Sequence, residues 1–174
     1  MMKETKKVFK WWDGSQSEVI TAWLEKMEAD GWHLVRVSWN GLRFHFEKGS
    51  SRKMSYCIDY QPKADRNYSG IFEDTGWEPI YNKTGWYIWR QSYQDTKPEI
   101  FTDIDSIIDR NKRLITVFTT LFCALIVILL SNIVNDFIFP LLFLYIPVLS
   151  LLGISLYRLT GENKRLQAKR IFFD

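Results

Sequence analysis

The chain has 174 residues, 23 Lys and Arg against 20 Asp and Glu, and only 2 Cys and 2 His. Two cysteines exclude a disulfide-stapled secreted scaffold, and a net charge of +3 does not suit a protein that neutralises many phosphates. The average hides two unlike halves: all 8 Trp precede residue 98, whereas residues 114–157 carry a single charge, Asp136.

In chain order, KKVFKWW (Lys6–Trp12) is basic and aromatic and reads as a strand. SQSE (Ser15–Glu18) has capping-box spacing and opens a helix. Val19, Ile20, Trp23, Leu24 and Met27 recur on one helical face, with Glu25, Lys26 and Glu28 opposite. Gly31 stops the helix by taking the left-handed conformation, and Trp32 packs back on Met27.

HLVRVSWNGLRFHFEK (His33–Lys48) is a hairpin with Asn40–Gly41 as a two-residue turn. That turn pairs Trp39 with Leu42, Val37 with Phe44 and Val35 with Phe46, all on one apolar face. The other face carries Leu34, Arg36, Ser38, Arg43, His45 and Glu47 and is wetter.

The pattern then recurs. MSYCIDY (Met54–Tyr60) is a strand with Met54, Tyr56, Ile58 and Tyr60 on one face. Residues 63–75 form a shorter helix, with Tyr68 and Phe72 placed before Gly76 as Trp23 and Met27 are before Gly31. Trp77 packs on Phe72, and EPIYNKTGWYIWRQ is the second hairpin, turning near Asn82–Gly85. Two copies of strand, helix, Gly–Trp corner and hairpin, at about 6–49 and 54–92, make a duplicated supersecondary unit and not a solenoid. The expected fold is α+β: a duplicated β-α-β-β unit, as a ferredoxin-like-related sandwich with both helices on one face, over residues 1–95.

Residues 96–113 predict an amphipathic linker helix. Its apolar stripe is Ile100, Phe101, Ile104, Ile107, Ile108 and Leu114, opposed by Glu99, Asp103, Asp105 and Asp109. An acidic face is not drawn to anionic lipid, so the stripe is expected to pack on the N-terminal domain or on a second copy. Leu114–Val134 and Phe137–Tyr157 are charge-free runs of 21 residues, close to the ~20 a helix needs to cross a bilayer. They predict a transmembrane hairpin turning at Asn135–Asp136, with Pro147 kinking its second span. Arg110, Lys112 and Arg113 flank one end, and Arg158, Lys164, Arg165, Lys169 and Arg170 the other, within a basic tail over 158–174. The positive-inside bias places both termini in the cytoplasm of a multi-pass membrane protein. No apolar run opens the chain, so no cleaved signal is expected.

The runs KKVFKWW, WLEKMEADGWHL, RFHFEKG, YCIDY and FEDTGWEPI, over roughly residues 5–95, resemble a bacterial family known as domain of unknown function family 2812. That resemblance implies a Trp-rich N-terminal domain followed by transmembrane helices. Family members are often encoded beside PadR-type transcriptional repressors, which implies a regulatory or stress-response setting and such a repressor as a candidate partner. It brings no catalytic residues to carry over.

No phosphate-cradling loop, metal-ligand spacing or nucleophile motif stands in the chain, so no catalytic residue, cofactor or metal is expected. Residues 1–97 hold 15 Lys and Arg against 13 Asp and Glu, which argues against direct nucleic-acid binding. The candidate ligand or partner surface is Arg36, Arg43, His45 and Glu47 on the wetter hairpin face, with Tyr87 and Trp89 as aromatics able to line a groove. Gly31, Trp32, Gly41, Gly76 and Trp77 are structural. The expected partners are the lipid bilayer and either a protein or a second copy of the chain. Two functions follow: a membrane-anchored cytoplasmic module that binds and regulates in an envelope-stress setting, or a structural or immunity component whose spans do the work while the N-terminal domain scaffolds oligomers.

Overall fold

A computed structural model describes residues 4–98, 104–132 and 138–171. The chain divides into two compact units, Met1–Thr102 and Asp103–Asp174.

In the first unit the elements run β1 (Thr5–Phe9), α1 (Ser17–Ala29), β2 (Trp32–Ser38), β3 (Arg43–Lys48), β4 (Met54–Tyr60), α2 (Arg66–Asp74), β5 (Glu78–Lys83) and β6 (Trp86–Ser92). The duplication is explicit: each half is β-α-β-β, and each forms an antiparallel three-stranded sheet with its last strand in the middle. The orders are β1-β3-β2 and β4-β6-β5. The six strands therefore make two sheets. Both hairpins are interrupted at the same place, by irregularities between Leu34 and Arg36 and between Pro79 and Tyr81. Such bulges disrupt a ladder and bend its strand.

The helices occupy different layers. Apolar residues of α1 (Ile20, Leu24, Met27), of the first sheet (Leu34, Val37, Phe44, Phe46) and of the second (Met54, Tyr56, Ile58, Ile88) share one core. Trp23 meets Phe44 and Phe46 edge-on at 5.1 and 5.7 Å. The helix α1 thus packs through one buried stripe on both sheets, while α2 covers the far face of the second sheet, where Phe72, Trp77 and Trp89 form a smaller core with Cys57. This layering replaces the expected placement of both helices on one face, because the second sheet buries both of its faces.

Helix ends follow the local chemistry, with one change from expectation. Asp13, and not Ser15, caps the first segment: its carboxylate accepts from the Ser15 amide ahead of a short 3-10 turn, and α1 begins at Ser17. In α2, Asp65 caps by accepting from the Tyr68 amide. Gly31 and Gly76 follow the two helix caps with φ of +79° and +84°. The amides of Gly76 and Trp77 donate to Glu73 and Phe72 carbonyls at 3.0 Å, a complete Schellman stop. Trp77 is buried in the smaller core, as the spacing predicts; Trp32 is half-buried, with Lys6 and Lys48 ammonium groups over its ring. Gly31 has a second constraint, since an added Cβ would stand 2.6 Å from the Gly49 carbonyl oxygen.

In the second unit, α3 (Ile104–Ser131) and α4 (Ile138–Ile171) pack against each other. The Asn163 side chain donates to the Ile108 carbonyl, which pairs the start of α3 with the later part of α4 and makes the hairpin antiparallel. Ile108, Asn111 and Leu114 are buried along the same side of α3, so this part of the predicted linker stripe is covered by α4. Ile100, Phe101, Glu99 and Asp103, and the Asn135–Asp136 turn, lie outside the described residues. Helix α4 holds Pro147 within it and continues without a break through the basic segment as far as Ile171.

Candidate functional site

The outer face of the first sheet is built by strand alternation in β1, β2 and β3. Register aligns three rows across it: Thr5, Glu47 and His33; Lys7, His45 and Arg36; Phe9, Arg43 and Ser38. The hairpin brings Arg36, Arg43, His45 and Glu47 onto this face, and β1 adds Lys7 and Phe9. Lys7 and Arg36 are exposed, while Arg43, His45 and Glu47 are half-buried.

At one end the turn presents aromatic surface. Trp39 and Asn40 have φ of +53° and +50°, and Gly41 +93°. Left-handed backbone at a tryptophan is uncommon, and here it turns Trp39 outward to 65% exposure. The Arg43 guanidinium sits 5.1 Å from the Trp39 ring centroid, and Phe9, 57% exposed, meets that ring edge-on at 6.5 Å. The turn is anchored from below, because the buried Trp12 indole donates to the Gly41 carbonyl at 2.9 Å.

Beyond the Val37–Phe44 pair, the register differs from expectation. Leu34, and not Val35, stands opposite Phe46 and is fully buried, whereas Val35 is 45% exposed. The bulge between Leu34 and Arg36 shifts the side-chain parity on its far side, so Leu34 leaves the wetter face and Val35 leaves the core. The Leu34 carbonyl then accepts from Arg90 of the second sheet at 2.9 Å.

His45 carries the chemistry of the face. Its Nε2 is 2.8 Å from the Ser38 hydroxyl. Partial desolvation, followed by the positive charges of Arg36, Arg43 and Lys7, holds its pKa below the ordinary value of 6.5, so the imidazole is neutral at neutral pH. Among the described residues no carboxylate orients its other nitrogen, and the pair stands on an open sheet face. A Ser–His contact so placed lacks the third group and the enclosed cleft of a nucleophile device. Neutral donors flanked by cations instead suit recognition of an anionic or acidic surface.

Tyr87 and Trp89 lie elsewhere, on the α2 side of the second sheet. Trp89 is fully buried, stacked on Phe72 at 4.3 Å, and Tyr87 is half-buried beside it. The Trp89 indole donates to the Tyr68 hydroxyl, which donates to buried Asp59. Burial and the Asp59 charge push the Tyr68 phenol up. Trp89 is therefore core.

One buried charge escaped the sequence pattern. Glu28, assigned to the polar face of α1, is fully buried. It accepts from the Tyr56 hydroxyl at 2.6 Å, the Leu34 amide at 2.9 Å and the Arg52 guanidinium at 2.6 Å. Its signal was spacing: residue 28 falls four after Leu24 and therefore on the apolar stripe. Val19 shows the converse, being 62% exposed although placed on that stripe. Among the described residues, no group of three His, Cys, Asp or Glu is arranged to hold a metal ion.

Together these features define an α+β module made from a duplicated β-α-β-β unit, joined to a hairpin of two helices long and apolar enough to cross a membrane. A family model described as "Protein of unknown function (DUF2812)" matches residues 16–123, more than half of the chain. The chain belongs to that family. No curated protein and no solved structure matches it.

Proposed function

We propose that this protein is a membrane-anchored binding and regulatory module. In this reading the helical hairpin sits in the bilayer, both termini are cytoplasmic, and the outer face of the first sheet recognises an anionic or acidic partner. The observation that carries the anchoring is the surface of the hairpin. The stretches Asp105–Ser131 and Leu142–Ala168 are 27 residues each, and only 6% and 11% of their apolar windows are buried. Leu121, Val127, Leu130, Phe143, Leu144 and Ile146 all point outward. Water is a poor solvent for so much contiguous apolar surface, and hydrocarbon is a good one. The positive-inside bias supports the orientation, since basic residues flank the outer ends of the hairpin.

The regulatory part rests on the open cationic face and on the setting that the family resemblance implies. A PadR-type repressor is the partner to test first, with envelope stress as the condition. Photocrosslinkers placed at Arg36 and at Lys7 in the full chain, activated in intact cells, test it. Recovery of one discrete protein from both positions, and not from a position on α2, supports the regulatory reading; adducts between copies of the chain alone turn it toward the second reading. In that second reading the spans carry the function and the N-terminal unit scaffolds oligomers. Exchange of α3 and α4 for unrelated spans separates the two, because only the scaffold reading loses every phenotype.

A further inference from the structure

We propose that the outer face of the first sheet seats on the anionic leaflet of the membrane that holds α3 and α4, with Lys7, Arg36 and Arg43 over lipid phosphates and Trp39 and Phe9 entering the headgroup layer. The inference rests on the membrane anchoring proposed above and gives this face a lipid surface in place of a protein partner, so that capture of one discrete protein through both Arg36 and Lys7 overturns it.

Three observations carry it. First, charge and aromatics occur together and open: the aligned Lys7–His45–Arg36 row adjoins Arg43, and Phe9 and Trp39 expose more than half of their surface at the turn end. Basic side chains are attracted to an anionic leaflet, and Trp is the side chain most suited to its interface. Second, the duplication supplies an internal comparison. The corresponding face of the second sheet, with Tyr56, Ile58 and Ile88, is apolar and buried against α1, whereas the first sheet's is cationic and uncovered. The same fold position thus carries core chemistry in one half and surface-binding chemistry in the other. Third, the tether is short. In sequence, residues 99–103 alone separate the described part of the first unit from α3, so binding of the face to a bilayer that holds α3 is intramolecular, where a few weak contacts suffice.

The full chain in nanodiscs with brominated acyl chains tests the proposal, because bromine quenches only indoles that reach the lipid. Discs of phosphatidylcholine are compared with discs containing about one phosphatidylglycerol in three. The expected result is quenching about twofold stronger in the anionic discs, an excess removed by about 0.5 M salt. Trp39→Ala removes most of that excess, and the combined Lys7→Gln, Arg36→Gln and Arg43→Gln variant abolishes it without changing the thermal midpoint. Equal quenching in the two kinds of disc overturns the proposal, as does an excess that survives the triple variant. Displacement of the face from lipid by an oligonucleotide at equal charge concentration also overturns it, and assigns the surface to nucleic acid. A chain that does not enter discs at all sinks the anchoring and the proposal together, whereas a chain that inserts without the excess sinks the proposal alone.

Discussion

At the scale of single residues, two titratable side chains mark the contrast between core and site. Glu28 is a buried carboxylate that its surroundings keep ionised. Burial works against its charge, but the hydrogen bonds from Arg52, Tyr56 and Leu34 outweigh that and hold its pKa below 4.5. A carboxyl with a lowered folded-state pKa stabilises above its unfolded pKa, and that contribution fades as pH falls through the folded value. Glu28→Gln is expected to cost about 2–4 kcal/mol at pH 7, because it strands buried donors. The difference from wild type in thermal unfolding should shrink below about pH 4.5. His45 behaves differently. Its titration, followed by NMR, should have a midpoint below 6.5, and Arg36→Gln should raise that midpoint by removing a flanking cation. A midpoint that Arg36→Gln leaves unmoved would remove the cationic row from the account.

At the scale of elements, the Gly–Trp corners explain why each helix stops where it does. Gly31 combines a left-handed backbone with contact against the Gly49 backbone, so Gly31→Val should cost about 1–4 kcal/mol by thermal unfolding. Trp32→Ala should cost less than Trp77→Ala, since Trp32 is half-buried and Trp77 is enclosed with Phe72 and Trp89. Both corners, both hairpins and the apolar spans were legible in the sequence, because turn residues and uncharged runs act locally. The bulges were not. Leu34 and Val35 are both apolar, so alternation alone does not tell which faces the core, and the answer came from the second sheet, where Arg90 takes the Leu34 carbonyl. The same alternation places Trp39 in the core, but the left-handed backbone of the turn carries it outward. On the candidate site, strand parity grouped Arg36, Arg43, His45 and Glu47 correctly on one face. It did not provide Lys7 and Phe9, which arrive through long-range pairing of β1 with β3.

At the scale of the molecule, the two units present opposite surface chemistry within one chain. The first is a layered α+β body whose last open sheet face is cationic, and the second is a helical pair whose outward surface is apolar. At the base of the hairpin the buried Asn163 of α4 donates to the Ile108 carbonyl of α3, a directional tie between helices whose other contacts are largely apolar. Asn163→Ala should therefore weaken the pairing of the helices, seen as a lower thermal midpoint in detergent, while the first unit keeps its near-ultraviolet dichroism.

The central claim is that the hairpin lies in a bilayer with the first unit on the cytoplasmic side. Membranes carrying the full chain, washed with alkaline carbonate and then treated with trypsin as right-side-out or inside-out vesicles, test it most directly. The chain is expected to stay with the membrane, and the N-terminal unit to be cut only in inside-out vesicles. Release of the chain by carbonate, or digestion of that unit in right-side-out vesicles, would contradict it.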